Sequence, residues 1–249
     1  MISVVLLGFG NVNSHLFKAF SGSNNMKIKQ VYNRSAINIS SPDATIPFTT
    51  EISEVVKADV YIIGIPDDAI SNFSERLAFN DRLVVHTSGG VSIDALSNKN
   101  RRGVFYPLQS FSKQREVDFT AIPICLEAEN KADLNLLQKL ATQISKHVTE
   151  ISSEERAKLH LAAVFVNNFT NYLYRMGSEI LKEDDLSFNL LKPLIAETAL
   201  KIETLSPKEA QTGPAKRKDI KTIEKHLGLL NNPKHVKFYT MFTEALKEE

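Results

Sequence analysis

The residues that most clearly suggest chemistry follow the first apolar segment of the chain. They form the run Gly8-Phe9-Gly10-Asn11-Val12-Asn13. After a strand, Gly8 permits a sharp turn, and Gly10 lets the backbone approach a diphosphate whose charge faces a helix N-terminus. Asn13 stands where the usual pattern has a third glycine, which puts close packing of the helix on the sheet in doubt. An ordinary glycine turn is the alternative interpretation.

The segment after the second apolar run indicates which dinucleotide would bind. A protein that prefers NAD places Asp or Glu there, because a carboxylate accepts hydrogen bonds from the ribose 2′-hydroxyl. In this chain the residues are Asn33, Arg34 and Ser35. Arg34 can pair with a 2′-phosphate, and Asn33 or Ser35 can donate to its oxygens. We therefore expect NADP as the cofactor, with a solvated turn as the alternative.

A third group of candidate residues follows the apolar run at 60–65. It consists of Pro66 and two acids, Asp67 and Asp68. In a doubly wound sheet the strand order reverses at this point, and ligands lie beyond the carboxyl ends of the strands. We expect Pro66 and Asp67 to line the nicotinamide half of the cofactor site. A plain helix cap formed by the two acids is the alternative.

Polar groups that can handle a proton or a substrate follow the next apolar run. His86 can act as an acid or a base because histidine titrates near neutral pH, and Ser88 can orient a carbonyl or an imine. A histidine that only bonds to nearby backbone is the alternative for His86. Hydride transfer requires few further groups, because the protein mainly holds the nicotinamide against the substrate.

Two residues of the C-terminal part complete the predicted catalytic set. Asn168 falls in a helical pattern among apolar residues, where an unpaired amide costs about 1–3 kcal/mol, so substrate or nearby backbone must satisfy it. Arg217 follows a pattern that predicts a helix with Pro214 at its first position and free N–H groups suited to a carboxylate or phosphate. A solvated basic helix start is the alternative for Arg217.

The composition argues against several classes of partner. The 30 Lys and Arg nearly balance the 29 Asp and Glu, so no overall field draws the chain to nucleic acid or an anionic membrane. The single cysteine, Cys125, allows no internal disulfide, and no Cys and His spacing predicts a metal site. The N-terminal apolar run leads straight into the glycine motif, and no run reaches the roughly 18 residues of a membrane span. We expect a cytoplasmic protein that binds a small-molecule substrate, with no nucleic acid and no membrane.

The order of the predicted elements indicates two domains. Up to about residue 152, apolar runs alternate with amphipathic stretches, which is typical of parallel strands joined by helices. Strands are expected at 3–7, 27–32, 60–65, 83–86, 104–106, 122–126 and 148–151, and helices at 12–21, 52–57, 70–77 and 132–146. Only helical patterns follow, with a long helix from Ser153 through Met176 and others at 187–204, 215–229 and 233–247. The sequence predicts an NADP-binding Rossmann domain, 1–152, and an all-helical domain, 153–249, that together complete a substrate cleft.

The long helix also predicts an assembly. It carries apolar residues on most of its faces, so it must bury more than one side. Packing on the first domain and on a second subunit would do so. We expect a homodimer formed through the helical domain.

The motifs taken together resemble those of a known family over nearly the whole chain. They are Gly8 to Val12, Pro66-Asp67-Asp68, His86 to Gly89, Tyr106 to Phe111, Ala163 to Phe169, and Thr212 to Ala215 with Arg217 and Asp219. The chain resembles Rossmann-like proteins with a C-terminal DUF2520 helical domain, relatives of pyrroline-5-carboxylate reductase and of coenzyme F420-dependent NADP oxidoreductases. The resemblance implies an NADP-binding α/β fold, a doubly wound, mainly parallel sheet followed by an all-α domain of the 6-phosphogluconate dehydrogenase C-terminal type, and dimerisation. It names no substrate.

The residues and the resemblance favour an oxidoreductase. We expect an NADP-dependent reductase or dehydrogenase that acts on a small, anionic carbonyl, imine or alcohol. The lysine that related hydroxyacid dehydrogenases use one helical turn before a catalytic asparagine is absent, because Ala163 and Val164 stand at those positions. A non-catalytic NADP-binding sensor or scaffold is the alternative function.

Overall fold

A computed structural model describes residues 1–37 and 46–248 of the chain. The chain divides into two compact units, Met1–Phe165 and Val166–Glu249. The helix that follows the predicted boundary at 152/153 thus falls in the first unit. The domain limits 1–152 and 153–249 stay a prediction.

An eight-stranded sheet runs through the first unit. Its strands, β1 to β8 in chain order, are Ile2–Leu7, Met26–Tyr32, Phe48–Thr49, Val60–Ile63, Leu83–His86, Arg101–Pro107, Ile124–Ala128 and Val148–Glu150. They lie in the order β3-β2-β1-β4-β5-β6-β7-β8, and neighbours are parallel except for β6 and β7. Because the strand order reverses between β1 and β4, the predicted doubly wound, mainly parallel Rossmann-like sheet is confirmed.

The helices of the first unit agree with the predicted ones in position more than in length. Helices α1 to α4 are Asn11–Ser21, Ile70–Glu75, Lys131–Ala141 and Ser153–Ala163. The helix predicted at 52–57 was wrong: a single 3-10 turn, Ile52–Glu54, stands there. The Gln30 side chain donates to the Glu54 carbonyl and accepts from the Val56 N–H, which holds this backbone out of a helix. The two-residue strand β3 was missed because it is too short for an alternating pattern.

The sheet is buried on both faces, because successive residues of a strand point to opposite sides. In β1, Val4 and Leu6 pack among the buried side chains on one face, together with Leu16 of α1. Val5 and Leu7 pack in a separate cluster on the other face. The continuous apolar run of β1 is therefore explained by helices that cover both faces of the sheet.

Asn13, at the third-glycine position, has a completely buried side chain. Its Nδ2 donates to the carbonyls of Leu7, Gly8 and Ile62 at 3.2, 2.8 and 3.1 Å. Gly64 provides the space, since a Cβ added there would lie 2.4 Å from the Asn13 Cγ. Helix α1 thus packs closely on the sheet despite the missing glycine, and the Asn13 amide ties the end of β1 to β4.

The described part of the second unit is helical, which confirms the predicted all-α region. Helices α5 to α9 are Thr170–Lys182, Lys192–Lys201, Pro207–Ala210, Ile220–Leu229 and Pro233–Lys247. A π-helical segment, Val164–Phe169, joins α4 to α5, so the predicted long helix is continuous but contains one widened stretch. Helix α9 has the predicted bounds.

The helix predicted to begin near Ala215 starts five residues later, at Ile220. Asp219 caps it, because its carboxylate accepts the Thr222 N–H at 3.1 Å. Pro214 therefore does not occupy the first position of a helix, and that prediction was wrong. Gly213 has φ of 117°, a left-handed value that glycine adopts without strain, and it opens a turn.

The second unit leaves much of its apolar surface uncovered in a single chain. Among its described residues, the buried hydrophobic side chains are Met176, Ala215 and Ile223. Exposed apolar side chains are far more numerous and include Val166, Leu173, Leu190, Leu194, Leu200, Ile202, Leu229, Met241 and Phe242. None of the described helices combines the length and the apolar character that a bilayer crossing requires.

Substituting Gly64 with alanine tests the close approach of α1 to the sheet. The added Cβ would meet the Asn13 amide at 2.4–2.6 Å, so we expect the free energy of unfolding in urea to fall by about 1–3 kcal/mol. In an Asn13→Ala background this cost should shrink, because the group that the new methyl meets is gone.

Gly228→Ala in α8 is the matched control for this experiment. No atom lies within 4 Å of a Cβ added at Gly228, so stability should stay the same or rise by up to about 1 kcal/mol. An equal cost of Gly64→Ala with and without Asn13 would contradict the packing described above.

Candidate functional site

The turn after β1 has the geometry that the glycine motif predicts. Gly8 has φ of 86°, and a Cβ there would lie 2.4 Å from Ile65 Cγ2 and 2.8 Å from the Gly64 carbonyl oxygen. Only glycine fits that position. At Gly10 the nearest atom to an added Cβ is the Gly64 carbonyl oxygen at 3.5 Å, so the chain itself does not require glycine there. The space beside Gly10 is open, as approach by a ligand would need.

Helix α1 begins directly after this turn with an uncapped N-terminus. Gly10 is its N-cap and no side chain caps it, while the first intrahelical bond runs from the Ser14 N–H to the Gly10 carbonyl at 3.0 Å. The N–H groups of Asn11 and Val12 have no intrahelical acceptor, and the first turn contains no acid. The helix N-terminus therefore presents free donors and a positive partial charge to an anion.

Asn33 connects the glycine turn to the end of β2. Its Oδ1 accepts the Phe9 N–H at 3.1 Å, and its Nδ2 donates to the Ser35 carbonyl at 2.9 Å. Both ends of the amide are thus occupied within the protein. Asn33 positions the turn, while Arg34 is exposed, and the exposed Ser35 hydroxyl, which accepts from Asn33 Nδ2 at 3.4 Å, can still donate to a phosphate.

A cleft of about 690 Å³ opens beside Gly8 at the carboxyl ends of β1, β2 and β4. Its lining contains the predicted cofactor residues Asn33, Arg34 and Pro66. Ala69, Asn72, Phe73 and Arg76 also line it. The cleft therefore carries two arginines against one acid, Asp68, which favours a ligand with a phosphate group at this end.

Sequence reasoning missed Asn72 and Arg76. A signal was present, because positions 69, 72, 73 and 76 repeat at the three- and four-residue spacing of one helix face. Ile70 and Phe73 of the same helix are apolar and are buried, so the pattern at 70–77 predicted only a helix that faces the core.

Pro66 and Asp67 lie at the point of strand reversal, as predicted. Pro66 precedes a 3-10 turn, Asp67–Ala69, in which no side chain forms a capping hydrogen bond. The alternative that Asp67 and Asp68 cap a helix was therefore wrong. Asp67 is exposed at the carboxyl edge of the sheet, where its carboxylate can face a ligand.

His86 is closed off from any ligand. It is fully buried, and its Nδ1 accepts the Ser88 N–H at 3.2 Å. Burial, together with the nearby Arg156 charge, lowers the His86 pKa to about 4. His86 is thus neutral at pH 7, and the geometry supports the backbone-bonding alternative over a role as acid or base.

Ser88 shapes the loop that follows β5. Its Oγ accepts the N–H groups of Gly90 and Val91, each at 3.1 Å. A hydroxyl that accepts twice still has its own proton to donate. Ser88 therefore keeps the donor that orientation of a carbonyl or imine would need.

Tyr106 and His160 form a polar pair over the same loop, which sequence reasoning missed. The Tyr106 Oη lies 3.2 Å from the His160 Nδ1. A Cβ added to Gly89 would lie 2.6 Å from that nitrogen and 2.7 Å from the Tyr106 ring, so glycine is needed for the pair to pack there. Tyr106 is the second-to-last residue of β6 and His160 belongs to α4, and their 54-residue separation leaves no local pattern.

Helix α4 is fastened to the sheet by a buried ion pair. Arg156 is fully buried and binds the Glu127 carboxylate, and its Nη2 donates to the Val91 carbonyl at 2.5 Å. Ser153 donates to the same carboxylate from both its N–H and its hydroxyl. Since Arg156 and His160 are four residues apart on one helix face, this anchor fixes the position of His160.

The structure describes the two predicted catalytic residues of the second unit without assigning them a role. Asn168 lies in the π-helical segment with its side chain exposed, accepting from Asn167 Nδ2 at 3.4 Å. In a single chain the Asn168 side chain is therefore exposed, and its apolar neighbours in the helix do not bury it. Arg217 is exposed in the turn before α8 and not in the first turn of that helix. Within the described residues, no His, Cys, Asp or Glu cluster is placed to hold a metal.

We predict that the protein loses stability in acid and that the buried His86 is a main contributor to this loss. The unfolded chain binds a proton near pH 6.5 that the folded protein binds only near pH 4. Stability present above pH 6.5 is therefore lost as the pH falls to 4, by about 3 kcal/mol from this group. Urea titrations of the wild type and of His86→Asn, which keeps an acceptor for the Ser88 N–H, should show a flatter pH dependence in the variant.

The exposed His147 provides the control for that measurement. His147→Asn should retain the wild-type pH dependence between 6.5 and 4, because this side chain is exposed in the folded protein. An unchanged slope in His86→Asn would show that His86 does not titrate as described.

Comparisons with solved structures extend the fold assignment to the whole chain. A protein from Bacteroides fragilis, provisionally described as an NADP oxidoreductase, is 37% identical with a TM-score of 0.88, covering 100% of this chain and 98% of that one. A Thermotoga maritima protein is 22% identical with a TM-score of 0.77, covering 98% of each chain. Plasmodium falciparum pyrroline carboxylate reductase with NADP bound is 14% identical with a TM-score of 0.56, covering 99% of this chain and 98% of that one. The last two likenesses show the fold alone.

Sequence comparison identifies the family. No protein of curated function matches the chain. The profile of a domain of unknown function, DUF2520, matches residues 122–246, which span half of the chain. Its match begins in the sheet and continues through the helices of the second unit. The chain belongs to the DUF2520 family.

Proposed function

We propose that the protein is an NADP-dependent oxidoreductase that acts on a small, anionic carbonyl, imine or alcohol. The observation that carries this proposal is the cleft between the glycine turn, with its uncapped helix α1, and the two arginines Arg34 and Arg76. The description of the Bacteroides fragilis protein and the NADP bound to the Plasmodium falciparum reductase support the same cofactor. The bound dinucleotide would supply or accept a hydride at its nicotinamide ring.

The residues at the cleft fit a dinucleotide phosphate. Gly10 leaves open space next to the free N–H groups of Asn11 and Val12, which suits a diphosphate. Phe9 and Asn33 hold this turn through their 3.1 Å hydrogen bond. The cofactor contacts that we propose are those of the predicted set from Gly8 to Val12, with Arg34, Ser35, Pro66 and Asp67.

The two arginines support NADP over NAD. Arg34 and Arg76 line the same cleft from the end of β2 and from the end of α2, and no acid follows β2. Guanidinium groups form strong, often bidentate hydrogen bonds with phosphate. A 2′-phosphate would therefore gain charge-assisted contacts that a 2′-hydroxyl would not.

Removing either arginine should weaken NADPH binding selectively. We expect Arg34→Ala and Arg76→Ala each to raise the NADPH Kd about 10- to 100-fold, the loss of one hydrogen-bonded charge pair, and to change the NADH Kd much less. Fluorescence titration of the bound nicotinamide measures both constants. Arg115→Ala, which removes an exposed arginine outside the cleft, should bind NADPH like the wild type. Equal wild-type affinities for NADPH and NADH would refute the NADP assignment.

Substrate handling is proposed to begin with Ser88. Its largely buried hydroxyl group follows the carboxyl end of β5, on the sheet edge where the cleft opens. Asn168 and Arg217, from the second unit, are proposed to contact the substrate, and the positive charge of Arg217 favours an anionic compound.

NADPH oxidation across a panel of 2-oxo acids and cyclic imines tests catalysis. If no compound of the panel supports NADPH oxidation although NADPH binds tightly, the result would favour a sensor or scaffold.

The proposal places the protein in the cytoplasm without nucleic acid or membrane partners. Cys125 is the only cysteine, it is buried, and burial raises the pKa of its thiol, which keeps it protonated and unreactive. The near balance of 30 basic and 29 acidic residues supports a small-molecule partner rather than a polyanion.

The proposed assembly is a homodimer formed through the second unit. Three buried hydrophobic side chains among its described residues are too few for a core of its own, while apolar side chains remain exposed along several helices. A second copy presents the same apolar faces, and a two-fold axis would cover both sets at once.

Sedimentation at micromolar concentration tests the dimer. We expect the wild type to sediment at about twice the 27.8 kDa chain mass. The double variant Leu190→Glu/Leu194→Glu places charges at side chains that are 68% and 61% exposed, and it should yield monomers. Val56→Glu, an exposed apolar position of the first unit, is the control and should stay dimeric. A monomeric wild type would contradict the proposal.

A further inference from the structure

The Tyr106–His160 pair lies where a proton would be needed, at the carboxyl edge of the sheet in the first unit. Residues that follow β4 and β5 and a residue of β6 lie near one another there. The hypothetical Cβ of Gly90 lies 3.7 Å from the His160 Cδ2 and 3.9 Å from the Asp67 Oδ2. Asp67 follows β4, Gly90 follows β5, and Tyr106 lies in β6, so the pair faces the region proposed for the nicotinamide half of the cofactor.

The orientation of the imidazole leaves one nitrogen for chemistry. The His160 Nδ1 forms a hydrogen bond with the Tyr106 Oη at 3.2 Å. The Cδ2 edge of the ring lies next to Gly90, 3.7 Å from a Cβ added there, and the same Cβ would lie 3.9 Å from the Asp67 Oδ2. No hydrogen bond from a described residue reaches Nε2, so this nitrogen can exchange a proton with a ligand.

Tyr106 can hold the ring in both of its charge states. Burial, with the nearby Cys125 and Asp67 opposed by Arg156, raises the pKa of the Tyr106 phenol to about 12, so the hydroxyl keeps its proton. A hydroxyl donates to a bare Nδ1 and accepts from a protonated one. The pair therefore retains its hydrogen bond whether His160 is neutral or charged.

The remaining charged and titratable neighbours are fixed. Arg156 is paired with Glu127 in the same helix anchor, and His86 is buried and neutral. Asp67 is the exposed carboxylate that approaches the same glycine, Gly90. Among these groups His160 combines partial exposure, a fixed orientation and an available nitrogen.

We propose that His160 is the acid–base residue of this oxidoreductase and that Tyr106 is its positioning residue, an assignment that rests on the proposed function. In the direction of reduction, hydride transfer to a carbonyl or imine carbon moves the π electron pair onto the oxygen or nitrogen. That atom takes the proton from the His160 Nε2, and the imidazolium becomes a neutral imidazole that retains its Nδ1 proton. Solvent returns the proton to Nε2 for the next turnover, and the reverse direction uses neutral His160 to accept the alcohol or amine proton.

The first test is NMR of protein labelled in its six histidine rings, with NADP+ and NADPH as probes. His160→Gln identifies the His160 signals. We expect these signals to shift on binding of either nucleotide, and by different amounts, because only the oxidised nicotinamide ring is positively charged. His226 makes a similar 2.8 Å hydrogen bond to Tyr239 in the second unit, and its signals should not distinguish the two nucleotides. Bound nucleotide without any change at His160 overturns the assignment.

The second test measures NADPH oxidation with the substrate panel. His160→Gln should lower kcat by about 10²- to 10⁴-fold, the usual contribution of general acid–base catalysis, with the NADPH Kd unchanged. Tyr106→Phe should lower kcat less and displace the pH profile, whereas Tyr239→Phe should do neither. Wild-type-like activity in His160→Gln overturns the proton role alone. Failure of the wild type to bind NADPH overturns the proposed function, and this assignment with it.

Discussion

The site depends on how closely three stretches of backbone approach one another between β1, α1 and β4. Gly8 has to turn with a positive φ against the Gly64 carbonyl, and Gly64 has to lack a side chain so that the Asn13 amide fits against it. Asn13 then binds the carbonyls of Leu7, Gly8 and Ile62. In the usual motif a third glycine allows this close packing because it lacks a side chain. In this chain a buried amide achieves the packing by hydrogen bonding, and the glycine that makes room, Gly64, follows β4.

The parallel sheet brings the other candidate residues to the same edge as this turn. Because β1, β2, β4 and β5 all end at one edge, residues that are distant in sequence lie close together there. The end of β2 and the face of α2 supply the arginines, the turn after β1 supplies free N–H groups, and the loop after β5 supplies Ser88. The ion pair between Arg156 and Glu127 extends the same edge by fastening α4 beside it, so that a residue of the long helix stands with those of the strands.

Sequence reasoning predicted what depends on local pattern. The strand runs, the glycine turn, the position of the strand reversal and helix α9 all follow from periodicity or from residues that are adjacent in the chain. It failed where a side chain from another element decides the outcome. Gln30 reduces the helix expected at 52–57 to one turn, Asp219 moves the start of α8, and complete burial makes His86 neutral. The pairing of Tyr106 with His160 left no local pattern. The spacing of residues 69, 72, 73 and 76 indicates that Arg76 lies on one helix face, but only the folded sheet brings that face to Arg34.

The central claim is that the N-terminus of α1 binds the diphosphate of NADP, and a crystal structure of the protein grown with NADP+ tests it most directly. We expect diphosphate oxygens within hydrogen-bond distance of the backbone N–H groups of residues 10–12, and the 2′-phosphate between Arg34 and Arg76. A dinucleotide bound elsewhere on the protein, or a cleft without nucleotide density at saturating NADP+, would contradict it.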